Sequence, residues 1–290
     1  MSEMREHPKN NPPRHSGEGN EHTGSKAPKI KNKKEEGGVS ERARSGGGFV
    51  AALLYSYRER HLARALIIAA CLLVFLSILP PYVRIALLRG LLEHGYVSGM
   101  LLIFSGIALS LLWSTGQYLD AWIFQFFNFK GDRPAWLDRL MWGFTQLGSG
   151  LSGLAVALLF LWRGYQRLAY EFILGTLTLW LAVELVKALV QRSRPFAKLM
   201  QTRIVGAPPG GLSFPSGHTT QSFFTVTLLV QHFYLNFQLA ALLYLLALFV
   251  GITRMYVGAH YPRDVAAGAM LGSIWGILGI IVDTHFLLGR

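Results

Sequence analysis

The sequence predicts an all-α polytopic membrane protein, a six-helix transmembrane bundle preceded by one extra N-terminal apolar helix. Two observations predict it. Of 290 residues, 51% are apolar and only 15% charged, fewer charges than an ordinary water-soluble surface carries. The apolar residues also come in blocks about as long as a bilayer is thick, separated by short polar breaks. In lipid, backbone polar groups must be satisfied within the segment, and continuous blocks of this length do so as helices rather than as alternating barrel strands.

In chain order, residues 1–64 read as a basic tail with 13 Lys and Arg against 8 Glu. The runs Lys31-Asn32-Lys33-Lys34 and Gly46-Gly47-Gly48 are typical of it. Its apolar residues are too few to offset the entropy of ordering, so it is expected to be disordered and solvated. Anionic lipid headgroups suit its charge better than nucleic acid, because no aromatic residue is interleaved with the basic run to stack on bases. No secretory signal is expected ahead of the first long apolar run near Ala65. That run, Ala65–Val83, is broken by Pro80-Pro81, and Tyr82–His94 continues as an amphipathic stretch. Residues 65–96 are therefore expected either to span the membrane or to lie in its interface. The core, residues 97–290, contains the blocks Val97–Tyr118, Phe144–Trp162, Phe172–Val190, Thr219–Tyr234, Leu239–Val257 and Val265–Leu287. At about 1.5 Å per residue most of these cross roughly 30 Å of hydrocarbon, some only with their flanking residues.

Of the formal net charge of +12, +5 belongs to the tail and +7 to the rest. Cys71 is the sole cysteine, which excludes an intrachain disulfide framework, a cysteine-based zinc site and an iron–sulfur cluster. No Asp/Glu cluster in the sequence points to a metal site, and no cofactor is expected. Asp120, Asp132 and Asp138 read as loop charges. Glu184, three residues before Lys187, reads as its ion-pair partner.

A charge inside or at the end of a membrane helix is costly and usually faces protein or a water-filled cavity. Three clusters carry such charges. Lys187 is followed seven residues later by Arg194-Pro195, so the two cations share a face if the helix continues, with Pro195 marking its end. Phe214-Pro215-Ser216-Gly217-His218 opens the fourth block of the core: Ser216 can cap a helix, Gly217 lets backbone approach a ligand, and free N–H groups there favour an anion. Arg254, His260 and Asp264 straddle the last break, and Pro262 places Asp264 on the first turn of the last helix, within reach of His260. Separately, these read as snorkelling cations, a helix cap and a satisfied His–Asp pair. Together they supply three cations, helix-start N–H donors, two histidines and a carboxylate. That set suits a phosphate dianion, a nucleophile and an acid.

The three motifs, Lys187-x6-Arg194-Pro195, Pro215-Ser216-Gly217-His218 and Arg254-x5-His260-x3-Asp264, resemble the signature of the type 2 phosphatidic acid phosphatase superfamily of integral membrane lipid phosphatases. The resemblance covers roughly residues 97–287. Thr253 stands where the family pattern usually has Ser, and keeps the hydroxyl. The resemblance implies a metal-independent phosphohydrolase working through a phosphohistidine. His260 would be the nucleophile, Asp264 would hold its imidazole in the reactive tautomer, and His218 would protonate the leaving oxygen and later activate water. Lys187, Arg194, Arg254, Ser216 and the Gly217 N–H would bind the phosphoryl oxygens. The implied substrates are membrane lipid phosphates: undecaprenyl diphosphate, phosphatidic acid or phosphatidylglycerophosphate, with loop 196–214 choosing the headgroup. A lipid phosphotransferase would use the same site, and soluble vanadate-dependent haloperoxidases resemble it.

Orientation follows from charge. The short loop Arg163–Arg167 is basic and lies on the side opposite the motifs, which favours a cytoplasmic loop and an extracytoplasmic active site in a multi-pass cell-membrane protein.

Overall fold

The computed structural model of the chain describes residues 76–128, 131 and 133–288, with scattered positions from 66 to 74 and side chains as far as Thr284. The basic tail, with its Lys31–Lys34 and Gly46–Gly48 runs, and Asp132 lie outside the described residues. From Pro81 onward the described residues form ten helices and no strand. These are α1 (Pro81–Glu93), α2 (Gly95–Ser110), α3 (Ser114–Asn128), α4 (Ala135–Gln146), α5 (Gly150–Trp162), α6 (Gln166–Val190), α7 (Pro195–Lys198), α8 (Gly217–His232), α9 (Phe237–Tyr256) and α10 (Pro262–Leu288).

Among the described residues, Gln166–Lys198, Phe237–Tyr256 and Pro262–Thr284 are long and apolar enough to cross a membrane, and up to five spans result if each of two bent pairs counts as one. The pairs are α1 with α2, bent by 79°, and α4 with α5, bent by 57°. Two apolar blocks of the sequence are thus interrupted. Val97–Tyr118 divides at Leu111–Trp113 into α2 and α3, and Phe144–Trp162 divides at Leu147–Ser149. Apolar residues run through the first break, whereas Gly148, Ser149 and Gly150 mark the second within its block. At the second break, Ser149 Oγ accepts the Ser152 N–H at 3.1 Å and restarts the helix as α5. Helix α8 has 16 residues and so rises about 24 Å. Large apolar side chains such as Leu102, Trp122, Leu151, Trp180 and Phe237 lie exposed around the bundle. Such a surface suits hydrocarbon, and the chain is a multi-pass membrane protein.

The closest helix pair is α8 against α10. Gly268, Gly272 and Gly276 recur every fourth residue on one face of α10. A Cβ added to Gly268 would stand 2.8 Å from the Ser216 carbonyl oxygen, one on Gly272 2.2 Å from that of Thr220, and one on Gly276 2.7 Å from Thr227 Cβ. Small residues at this spacing let two helix backbones touch where lipid supplies no hydrophobic drive between helices. The contact brings the first turn of α10 against the start of α8, and the Ser216 N–H donates to the Asp264 carbonyl at 2.9 Å. Lower in the bundle, Phe172, Leu168 and Val183 of α6 pack on Phe224 and Leu228 of α8 and Leu271 of α10. Phe160 of α5 stacks on Phe172 with centroids 5.7 Å apart. Helix α1 lies along α10, with Ala86 and Gly90 buried, and a Cβ added to Gly90 would stand 2.9 Å from Ile281 Cδ1.

Candidate active site

Helix α6 stops at Val190 because Gln191 takes the left-handed conformation (φ 53°) and returns its N–H to the Lys187 carbonyl at 2.9 Å. This corrects the expectation of a shared helix face for Lys187 and Arg194: a left-handed cap, not two further turns, sets their relation. Extended backbone at Arg194 then leads into α7, with Pro195 at its first position. Lys187 sits in the last turn of α6, its Nζ 2.6 Å from Glu184 Oε1. Arg194 is buried and donates to the carbonyls of Gly210 (2.8 Å), Gly211 (3.1 Å) and Ala259 (3.0 Å), which ties loop 206–211 to the turn before α10.

Helix α8 opens at Gly217 after a cis Phe214–Pro215 bond. The N–H groups of Gly217, His218 and Thr219 begin the helix and have no carbonyl one turn earlier to meet. A Cβ on Gly217 would meet only Val183 Cγ1, at 4.0 Å, so the protein leaves open space beside this backbone. Ser216 does not cap the helix with its side chain. Its hydroxyl instead accepts from Thr219 Oγ1 at 2.9 Å. On the other side of α8, Gly148 lets the α4–α5 turn approach, since a Cβ there would lie 2.4 Å from the His218 carbonyl oxygen.

His260 lies between α9 and α10, buried to 2% exposure. Its Nδ1 is 2.7 Å from the Ser213 carbonyl, and its Nε2 is 3.2 Å from Arg194 Nη1. A carbonyl oxygen only accepts and a guanidinium only donates. These two one-way partners place the proton on Nδ1 and leave Nε2 unprotonated, its lone pair accepting from Arg194. Asp264 does not hold this tautomer directly: its Oδ2 is 3.7 Å from Nδ1. Its carboxylate is taken up by Arg192 Nη1 at 2.6 Å, the Tyr261 N–H at 2.8 Å and the Ser213 hydroxyl. Ser213 therefore stands between it and His260. Burial, followed by the charges of Arg194, Arg254 and Lys187, pushes the His260 imidazole well below its ordinary pKa, against an upward push from the Ser213 carbonyl. Protonation of a group lowered in this way begins only at acid pH. NMR titration of the histidine nitrogens is expected to show His260 neutral at about pH 6.5, where an exposed histidine is half protonated.

Arg254, near the end of α9, donates from Nη1 to Thr145 Oγ1 at 2.8 Å, and its buried Nε has no partner among the described residues. A buried guanidinium N–H left over beside two other cations is a place for an anion. From this site a groove of about 480 Å³ descends between α5, α6 and α8. Lys187, Gly217 and His218 line its upper end, and Leu154, Leu177 and Trp180 its apolar part.

The sequence reading missed several residues here. Asp120 and Asp138 are not loop charges. Asp120 is 2% exposed inside α3, where it binds Arg192 and Arg263, and Asp138 binds Arg203 and the Tyr256 hydroxyl. The signal was present for Asp120, a lone carboxylate at the edge of an apolar block. Ser213 and Thr145 contribute through positions that no spacing rule marks. At the other end of the bundle Glu171, His232 and Asp283 offer ligand atoms within 4.8 Å of one another, a cluster that their distance in sequence conceals. Arg167 pairs with Asp283 and lies 3.8 Å from Glu171, so a protein cation already serves it.

Fold and site together describe a helical membrane protein that gathers two histidines and three cations at its helix ends. Residues 168–285 match the PAP2 superfamily. It is 42% identical over 79 residues to the "Bacitracin transport permease protein BcrC" of Bacillus licheniformis, across 27% of this chain and 37% of that one. It is 27% identical over 164 residues to the "Undecaprenyl-diphosphatase" of Sulfolobus acidocaldarius, across 56% of this chain and 77% of the relative. The BcrC match thus spans little more than a third of that relative's length. The fold matches the crystal structure of a transmembrane PAP2-type phosphatidylglycerolphosphate phosphatase from Bacillus subtilis with a TM-score of 0.55 and 24% identity, across 67% of this chain and 97% of the other.

Proposed function

We propose that the chain hydrolyses the phosphate or diphosphate monoester of a membrane lipid through a phosphohistidine on His260. The observation that carries this reading is the His260 ring itself, with Nδ1 on the Ser213 carbonyl and Nε2 directed at Arg194 among three cations. In the first step the Nε2 lone pair attacks phosphorus as the bond to the lipid-side oxygen breaks, and His218 gives that oxygen a proton. In the second, water attacks the phosphohistidine, His218 takes its proton, the P–N bond breaks and inorganic phosphate leaves. Lys187, Arg194, Arg254 and the N–H groups of Gly217 and His218 neutralise the equatorial oxygens, with Ser216 beside them. Phosphoryl transfer asks mainly for in-line positioning and compensation of this charge, which fixed cations supply.

The groove supports a lipid substrate, because a phosphate held at Lys187 and His218 leaves its tail against Leu154, Leu177 and Trp180. A polyprenyl diphosphate, the substrate class in the name of the Sulfolobus relative, is the first to test. The site faces the extracytoplasmic side in this reading. Arg163, at the turn between α5 and α6, lies on the opposite side and stacks on Trp162 with 5.2 Å to the ring centroid, which suits a headgroup-level anchor. The test is phosphate release from undecaprenyl diphosphate, phosphatidic acid and phosphatidylglycerophosphate in detergent, with and without EDTA. Release from at least one substrate, unchanged by EDTA, is expected. Loss of all activity on chelation would sink the metal-independent mechanism.

A further inference from the structure

The buried charges next to His260 form a chain that reaches beyond the three motifs. Asp120 of α3 accepts from Arg192, and from Arg263 through Nε at 2.7 Å and the backbone N–H at 3.2 Å. Arg192 occupies one of the unspecified positions of the first motif. Its Nη1 reaches Asp264 at 2.6 Å, its Nη2 reaches Gln117 at 3.2 Å, and its guanidinium lies 4.2 Å over the Tyr261 ring. The Ser213 N–H donates to the Arg192 carbonyl at 2.8 Å while the Ser213 hydroxyl donates to Asp264. Ser213 is thus clamped from both sides, and its own carbonyl takes the His260 Nδ1 proton. Arg192 and Asp120 are 7% and 2% exposed, and neither lines the groove in which Lys187 and His218 meet. Buried Arg192 and half-buried Arg263 balance the two buried aspartates in charge, an arrangement that is costly to build and loses its compensation when one member goes. Asp120 also lies outside residues 168–285, so the helix that completes the chain is not part of the matched domain.

We infer that Asp120 and Arg192 are positioning residues for the phosphohistidine chemistry, acting through Asp264 and Ser213 to hold the His260 ring without touching the phosphate. The inference rests on the function proposed above. Groups that orient a reacting ring from behind typically change rates by about 10- to 100-fold when removed. Their charges add a second signature. His260 is faced by Lys187 from α6, Arg194 from the start of α7, His218 from α8, Arg254 from α9 and Asp264 from α10, with Arg192 and Asp120 behind. Removing the anion at Asp120 leaves this set more positive and disfavours protonation of His260. Removing the cation at Arg192 does the reverse.

The test measures kcat, KM and the pH profile of kcat/KM for Asp120→Asn, Arg192→Met and Ser213→Ala on a short-chain phosphatidic acid in detergent micelles, or on whichever lipid phosphate the wild type hydrolyses. The expected result is a kcat about 10- to 100-fold lower in each, with KM within about threefold. The acid limb should move to lower pH in Asp120→Asn, to higher pH in Arg192→Met, and stay in place in Ser213→Ala. If a charge variant does not fold, Ser213→Ala keeps every buried charge and decides by kcat. Folded variants with wild-type kcat, or acid limbs that move the same way in both charge variants, would overturn the inference. A wild type inactive on every lipid phosphate, or an active His260→Ala, would instead overturn the parent reading.

Discussion

Replacing His260 with alanine is expected to lower kcat for lipid phosphate hydrolysis by about 10⁴-fold or more, the size of effect seen when a covalent nucleophile is removed. In the structure Nε2 is the unprotonated ring atom, accepting from Arg194, since the Nδ1 proton is committed to the Ser213 carbonyl. The loss should fall on turnover rather than on binding. Arg194 keeps its contacts to Gly210, Gly211 and Ala259 in the variant, and Arg254 keeps Thr145, so the cations that hold the phosphate stay in place. Competitive inhibition by inorganic phosphate should accordingly change by less than about threefold. A steady-state comparison of purified wild type and variant, with phosphate as inhibitor, checks both parts.

Gly272→Val is expected to prevent the bundle from forming, with a destabilisation of about 3 kcal/mol or more. The added Cβ would start 2.2 Å from the Thr220 carbonyl oxygen, a backbone atom that cannot rotate away. Helices α8 and α10 would have to separate, and that separation would also break the Ser216 to Asp264 backbone bond that sets the site. Size-exclusion chromatography and a thermal melt in detergent should show an aggregated or unfolded variant. Gly106→Ala serves as the control, because nothing lies within 4 Å of the added Cβ and the protein should remain monodisperse.

The helical, membrane-spanning character was legible because it depends on composition and block length, which bilayer thickness reads directly. The break at Leu111–Trp113 was not, since it falls inside continuous apolar sequence, while the break at Leu147–Ser149 had a local signal in Gly148, Ser149 and Gly150 that block length overrode. At the site, the motif residues were legible as residue types that phosphate chemistry uses, at helix ends. Their connections were less so. Asp264 stands four residues after His260, and spacing alone suggested a direct bond, yet Ser213 lies between them. Gln191 adopts a left-handed conformation that no glycine announces, so the route from Lys187 to Arg194 could not be read either. Asp120 was visible as a charge beside apolar residues, but its partners are 72 and 143 positions away in the chain. Only packing brings such groups together.

The central claim is that phosphorus passes through His260 Nε2, and a His218→Asn variant tests it most directly. With a phosphate monoester whose leaving group needs no proton, the first step should proceed and the second, deprived of the base that activates water, should stall. Rapid mixing followed by an alkaline quench and peptide mass spectrometry is then expected to find a phosphoryl group on His260. Phosphate release by this variant with no phosphorylated His260 at any time, or a phosphoryl group on a different residue, would contradict the account.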